Sequence, residues 1–353
     1  MSDGRIPVAI LGATGNVGQR FIELLEDHPW FRVAELAASD RSAGRKYRDA
    51  TEWRLGASMP ESVADLPVLD LNADLQSPIA FSGLPGDVAG EVEQRLAKSG
   101  LAVLSNTSVH RMDPYVPLLN PEVNPDHVDA ITLQQEKRGW SGFIATNANC
   151  STIHLVLTLK PLQDAFGLEA AVVSTLQAVS GAGYPGVPSL DMIDNVVPFI
   201  RTEEEKMAEE SRKILGGFEA GKGFVDAEFV LSAHCNRVPV RDGHTETASV
   251  RLTNTATPEE VIQVFQSFRG IPQELGLPSA PPQPIVVRHE ENRPQPQLDR
   301  NTSKGMVSVV GRVRECPVMG LKYVLLGHNT VRGAAGASIL NAELFREKGL
   351  LPV

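Results

Sequence analysis

The chain has 353 residues, enough for about two domains with sizeable cores. Its net charge of −10 argues against a nucleic-acid partner or an anionic membrane surface, because phosphate backbones repel a net acidic protein. Three cysteines with no CxxC pair give neither a disulfide framework nor a zinc site, so no metal is expected and a reducing cytoplasm is the expected compartment.

Residues 7–11, PVAIL, read as a buried parallel strand. The run is too short for a signal segment, and no stretch approaches the length of a membrane span. Residues 16–27 read as a helix with Val17, Phe21, Leu24 and Leu25 on one face, and 31–38 as a second strand. A strand at 78–81, a helix at 87–98 and a strand at 102–104 follow. This strand–helix alternation predicts right-handed βαβ units and an N-terminal, Rossmann-like, doubly wound α/β domain.

The pattern changes near Asn149. A helix is predicted over 151–164, capped by Ser151 and kinked or shortened by Pro161. The runs 170–179, 230–240, 246–253 and 306–314 alternate as antiparallel strands do. They imply an α+β catalytic and dimerisation domain with a mostly antiparallel sheet, and hence a homodimer or homotetramer. The proline-rich stretch 277–296 reads as an irregular loop, and 333–348 as a helix packed back on the first domain. The expected division is 1–149, completed by 330–353, and 150–329.

Between the first strand and helix lies Gly12-Ala-Thr14-Gly15-Asn16-Val17-Gly18. Glycines there permit a tight turn and close backbone approach, and the helix N-terminus offers free N–H groups to a pyrophosphate. The spacing is GxxGxxG. After the second strand, Ser39, Arg41, Ser42, Arg45 and Lys46 gather positive charge where the 2′-phosphate of NADP would lie. Asp40 in the same loop suits the ribose hydroxyl of NAD, so NADP is expected with NAD also possible. GxxGxxG also occurs in short-chain dehydrogenases that use a Tyr-xxx-Lys pair. Here Tyr47, Tyr115, Tyr184 and Tyr323 are followed four residues on by Thr51, Leu119, Pro188 and Gly327, so that mechanism is excluded.

Cys150 sits among small polar residues, Asn-Ala-Asn-Cys-Ser-Thr, just before a predicted helix whose positive end favours thiolate. Backbone N–H groups and the Asn149 side chain offer oxyanion stabilisation there. Cys235 and Cys316 read as inert core residues. A thiol beside a nicotinamide holds an acyl group as a thioester, which hydride reduces to a thiohemiacetal and then an aldehyde. A histidine is needed as acid/base, and His244, His234 and His154 all remain candidates. Arg111, Arg237 and the run Glu203–Lys206 are candidate clamps for anions and amines, although 201–213 also fits a solvated charged helix.

These segments resemble the aspartate-semialdehyde dehydrogenases, in particular the branch found in archaea and fungi. The shared motifs include GATGNVG at Gly12, SDRSAG at Ser39, FSGLPGDVAG at Phe81, SNTSVHR at Ser105 and TNANCST at Thr146. STLQAVSGAG at Ser174, EEEKM at Glu203, NRVPVRDGH at Asn236 and GHNTVRGAAGAS at Gly327 continue the series in order. The resemblance implies Cys150 as nucleophile, His244 as acid/base, Gln177 as orienter of the acyl intermediate and Asn149 as oxyanion partner. It implies Arg237 on the substrate carboxylate, Glu203 on the amino group, and Arg111, Lys206 and Asn106 at the phosphate. Gly12, Thr14, Gly15, Asn16, Val17, Ser39, Arg41, Ser42, Ser82, Gly181 and Asn329 would contact the cofactor. The implied reaction is reductive dephosphorylation of 4-aspartyl phosphate with NADPH, serving lysine, threonine, methionine and isoleucine biosynthesis. A malonyl-CoA reductase, which takes a CoA thioester, and a non-catalytic dinucleotide-binding paralogue are the rival readings.

Overall fold

A computed structural model of the chain describes residues 4–352. Residues 1–3 and 353, at the outer limits of the expected first domain, lie outside the described residues. The chain forms two compact units: Met1–Leu119, His127–Asn147 and Ser338–Val353 make the first, and Asn120–Asp126 and Ala148–Ala337 the second. The expected boundaries differ in three places, the first being residues 148–149, which fall in the second unit. Residues 330–337 belong to the second unit, and so does the segment 120–126, because its charge is tied there. The buried Arg332 guanidinium is held by Glu122 and Asn120, and Asn120 Nδ2 also donates to the Ile153 carbonyl. A charge with no exposed surface must stay with its partners.

In the first unit, strands β1 (Ile6–Leu11), β2 (Phe31–Ala38), β3 (Val68–Asp70), β4 (Ile79–Ser82), β5 (Ala102–Ser105), β6 (Leu118–Leu119) and β7 (Phe143–Asn147) form one sheet. Their order is β3-β2-β1-β4-β5-β7-β6, and every pairing is parallel. The order reverses between β1 and β4, and that switch point opens a crevice at the carboxyl ends of the strands. Helix α1 (Asn16–Leu25) follows β1, and helix α2 (Gly86–Lys98) follows β4. Buried residues of β1, β4, β5 and β7 (Ala9, Leu11, Ala80, Val103 and Ile144) pack with Leu96 of α2 in one core.

The second unit carries β8 (Leu168–Ala178), the hairpin β9 (Gly217–Glu219) and β10 (Gly223–Val225), β11 (Val230–Val238), β12 (His244–Leu252), β13 (Ile285–Arg288), β14 (Ser308–Cys316) and β15 (Gly320–Gly327). Six of these form a sheet ordered β11-β8-β12-β15-β14-β13. The three inner pairings are antiparallel and the two edge pairings, β11 with β8 and β13 with β14, are parallel. The sheet is therefore mixed. Period-2 alternation reports which face a residue uses and says nothing of strand direction, so the parallel edges were not legible. The stretch expected to be an irregular loop contributes β13. Helix α3 (Thr152–Phe166) lies against β12, β14 and β15 and runs on through Pro161 to Phe166, beyond the expected end. Gly167, at φ +74°, ends it. Helix α4 (Glu203–Leu215) lies in the long crossover between β8 and β11.

Candidate active site

The glycine loop occupies the crevice of the first unit. Gly12 has φ +72°, and a Cβ there would lie 2.8 Å from the Gly83 carbonyl oxygen after β4. A Cβ on Gly18 would lie 2.3 Å from the Gly12 oxygen, so α1 sits directly on the loop only because residue 18 has no side chain. Gly15 is exposed, and no side chain caps the first turn of α1, where Asn16 and Val17 begin the helix. Free N–H groups at a helix start favour an anion. Beyond β2 the backbone turns at Ser39, with Ser42 N–H donating to the Ser39 carbonyl at 2.8 Å. Ser39, Asp40 and exposed Arg41 line a cleft of ≈ 460 Å³ together with Asp87, Glu91 and Arg95. Ser82 is buried at the end of β4, where its carbonyl accepts from the Asn106 side chain at 3.0 Å. Arg111 is buried in the same loop and donates to the Asn106 carbonyl at 2.8 Å.

In the second unit, Cys150 lies just before α3. Asn149 Oδ1 accepts from the N–H groups of Ser151 at 2.9 Å and Thr152 at 3.2 Å, closing the helix start. Cys150 Sγ lies 3.1 Å from Nε2 of His244. His244 opens β12, where His244, Glu246, Ala248 and Val250 share the buried face. Gly243, at φ +101°, makes the turn before it. Burial, and after it the charge of Arg237, hold the His244 pKa well below its ordinary value. The rival histidines are elsewhere occupied. His154 is fully buried, its Nδ1 is 2.8 Å from the Ser308 hydroxyl, and burial presses its pKa down to about 3. His234 is exposed on β11.

Helix α4 grips the cysteine turn with two carboxylates. Glu203 Oε1 accepts from Asn149 Nδ2 at 2.6 Å and from Gln177 Nε2 at 3.2 Å. Glu210, seven residues on and only 1% exposed, accepts the Asn149 backbone N–H at 2.6 Å. Sequence reasoning missed Glu210. The spacing of Glu203, Met207, Glu210 and Ile214, all buried, marks one helical face and was the available signal. Lys206 is half-buried, one turn beyond Glu203. A second missed carboxyl, Glu246, is fully buried, and burial together with the charge of Glu203 raises its pKa well above the ordinary value.

Ala178, at the end of β8, holds two side chains by its backbone. Its N–H donates to His244 Nδ1 at 3.0 Å, and its carbonyl accepts from Arg237 Nη1 at 2.8 Å. Burial lowers the Arg237 pKa, while the opposite charges of Cys150 and Glu203 favour its charged form. Gly181 lies against this pair. A Cβ there would be 2.8 Å from Arg237 Nη1 and 3.1 Å from His244 Cε1 and Nε2. Asn329 joins two turns, accepting from Gly243 N–H and donating to the Ser180 hydroxyl, each at 2.8 Å. The second unit thus brings together Cys150, His244, Gln177, Asn149, Glu203, Arg237 and Gly181, while Asn106 and Arg111 belong to the first unit with the glycine loop.

Comparison with known proteins matches both units. The family model described as "Semialdehyde dehydrogenase, NAD binding domain" matches residues 7–131, and "Semialdehyde dehydrogenase, dimerisation domain" matches residues 159–332. An aspartate-semialdehyde dehydrogenase of Methanothermobacter thermautotrophicus is 54% identical, covering 97% of this chain and 99% of its own. One of Schizosaccharomyces pombe is 49% identical over 98% of this chain and 99% of its own. A crystal structure of the Candida albicans aspartate semialdehyde dehydrogenase with NADP superposes with a TM-score of 0.91 at 43% identity, covering 98% of this chain and 100% of that one.

Proposed function

The chain belongs to the aspartate-semialdehyde dehydrogenase family, and on that premise we propose that it reduces 4-aspartyl phosphate to L-aspartate 4-semialdehyde with NADPH through a thioester on Cys150. The observation that carries this reading is the 3.1 Å contact of Cys150 with His244, flanked by a buried arginine and a buried glutamate. A thiolate acts on an acyl carbon only if that carbon is held in line. Arg237 and Glu203 suit the α-carboxylate and α-ammonium of an amino acid, which fix the position of the β-acyl group. Among the described residues nothing donates to Glu203 Oε2, which leaves that oxygen for an ammonium. A malonyl group has no amine for it, so this arrangement favours aspartyl over the CoA-linked rival.

Cys150 attacks the acyl carbon and phosphate leaves. Arg111, Lys206 and Asn106 serve the phosphate, and Gln177 and Asn149 orient the acyl group and its oxygen. His244 supplies a polar hydrogen at the reacting centre. The residues of the first unit fit a dinucleotide: Gly12 and Gly15 let phosphate approach the backbone, α1 offers its N–H groups, and exposed Arg41 with Ser39 and Ser42 suits a 2′-phosphate. Thr14, Asn16, Val17, Ser82, Gly181 and Asn329 complete the expected set. Asp40 beside Arg41 leaves room for some use of NAD. When bound, the cofactor supplies hydride to the acyl carbon.

The reading places the enzyme in the biosynthesis of lysine, threonine, methionine and isoleucine. A cytoplasmic setting suits a catalytic thiol, and none of Cys150, Cys235 and Cys316 is in a disulfide. No helix among the described residues is long and apolar enough to cross a membrane. Exposed Leu190, Ile193, Phe199 and Val230 in the second unit favour a homodimer or a tetramer of dimers, which sedimentation would report. The direct test is steady-state NADP reduction by the purified protein with L-aspartate semialdehyde and phosphate. Phosphate-dependent turnover is expected. Turnover only with malonate semialdehyde and CoA would overturn the aspartyl assignment.

A further inference from the structure

The loop that follows β5 carries both Asn106 and Arg111, and a single buried carboxyl on α2 reaches both of its ends. Glu93 has no exposed surface, and its Oε1 accepts from the Ser105 hydroxyl at 2.9 Å. Ser105 Oγ in turn accepts from the Thr107 backbone N–H at 3.1 Å and lies 3.1 Å from the Thr107 hydroxyl. Asn106 is thus bracketed by two residues tied to one side chain. Its backbone N–H and its Nδ2 both donate to the Ser82 carbonyl, at 3.1 and 3.0 Å, and its Oδ1 accepts from Asn147 Nδ2 at 2.9 Å. Its carbonyl accepts from Arg111 Nη2 at 2.8 Å, so the guanidinium follows Asn106.

The far end of the loop meets the same carboxyl. His110 Nε2 lies 3.7 Å from Glu93 Oε2, and the Gly90 carbonyl of α2 accepts a hydrogen bond from the His110 ring. Val109 packs on the same helix, where a Cβ on Gly90 would come 3.3 Å from Val109 Cγ1. A glycine weakens a helix interior, and here it admits the loop to the helix surface. Among the described residues neither Glu93 Oε2 nor His110 Nε2 has a hydrogen-bond partner. Burial raises the Glu93 pKa to about 7, with the Ser82 and Ser105 hydroxyls pulling the other way. Burial lowers that of His110, where Asp113 favours the charged ring and Arg138 opposes it. A neutral carboxyl keeps an accepting oxygen for Ser105 and can turn its O–H to the imidazole lone pair. A carboxyl is costly to bury, and the other buried positions of α2 are Ala89, Val92, Leu96 and Ala97, so packing alone gives no reason for a polar group at 93.

We infer that Glu93 is the positioning residue of this loop: it touches no substrate, and through Ser105 and His110 it sets where Asn106 and Arg111 stand for the phosphate. The inference rests on the reading above that those two residues serve the phosphate.

The test is KM for phosphate in NADP reduction with L-aspartate semialdehyde, measured beside KM for the semialdehyde and thermal unfolding. Glu93→Leu fills the same space without an acceptor, and Ser105→Ala cuts the tie by removing one atom. Each is expected to raise KM for phosphate about tenfold, with KM for the semialdehyde within about threefold of wild type and Tm within about 3 °C. In Glu93→Gln the amide oxygen can accept from Ser105 and the amide nitrogen can face His110, so this variant is expected to restore KM for phosphate to within about threefold of wild type. Arg111→Ala tests the underlying reading. If it raises KM for phosphate while Glu93→Leu and Ser105→Ala do not, Glu93 only fills space, and the inference fails while the phosphate reading stands. A rise in both Michaelis constants together with a fall in Tm would mark a merely structural role and overturn the inference in the same way. If Arg111→Ala leaves KM for phosphate unchanged, the loop does not serve the phosphate and both readings fall.

Discussion

Replacing Gly181 with alanine puts a methyl carbon 2.8 Å from Arg237 Nη1 and 3.1 Å from two ring atoms of His244. Contacts that short do not persist, so something must move. The backbone at residue 181 is outside the left-handed region and the residue is exposed, so the fold itself is little strained. The atoms that yield are the ends of two side chains, both pinned on Ala178. Stability is therefore expected to change by less than about 1 kcal/mol. Catalysis is a different matter, because a misplacement of about 1 Å at a reacting centre costs about 10²-fold, or about 2.7 kcal/mol of barrier. The assay is kcat/KM of Gly181→Ala beside wild type, with thermal unfolding of the same samples. A fall of about 10²-fold with Tm held within about 3 °C is the expected result. A variant within about threefold of wild type would show instead that Arg237 and His244 tolerate displacement.

Cys150→Ser is expected to lose activity by on the order of 10⁴-fold or more while keeping its unfolding transition, as read by kcat and calorimetry. Glu210→Ala leaves the Asn149 N–H without its acceptor and is expected to slow Cys150 alkylation and lower kcat by about 10-fold or more, whereas Glu210→Gln, which can still accept, stays within about threefold. Glu93, fully buried and bonded to the Ser105 hydroxyl at 2.9 Å with His110 Nε2 at 3.7 Å, has its pKa raised from 4.5 to about 7, chiefly by burial. Because the folded value is the higher one, its contribution is full below pH 4.5 and is lost as pH rises through about 7. Denaturant unfolding of Glu93→Gln against wild type at both ends of that window is expected to show the variant gaining about 3 kcal/mol relative to wild type on the alkaline side, and equal pH dependence of the two would contradict it.

The glycine loop and the cysteine turn were legible in the sequence because their physics is local. Gly12 and Gly18 are needed where backbone meets backbone, and Cys150 stands at a helix start among small polar residues. The choice among His154, His234 and His244 was not local. It depends on β12 lying antiparallel to β8, which brings residue 244 beside Ala178. The family resemblance singled out His244 beforehand. Helix α4 illustrates the harder limit. Its run of charges has the composition of a solvated helix, yet Glu203 and Glu210 are buried because their partners are polar groups of Asn149 and Gln177 from distant segments. Composition reports charge and cannot report where its partner lies. The same holds for Arg332, whose pairing with Glu122 spans 210 residues and decides to which unit residues 120–126 belong.

An aspartyl thioester on Cys150 is the intermediate on which the proposed reaction depends, and rapid mixing of the protein with L-aspartate semialdehyde and NADP in the absence of phosphate detects it. A burst of one NADPH per active site is predicted, followed by near-arrest until phosphate is added, with intact-mass spectra showing one aspartyl group that is absent in Cys150→Ser. A burst with no mass adduct, or steady turnover indifferent to phosphate, would rule out the aspartyl thioester.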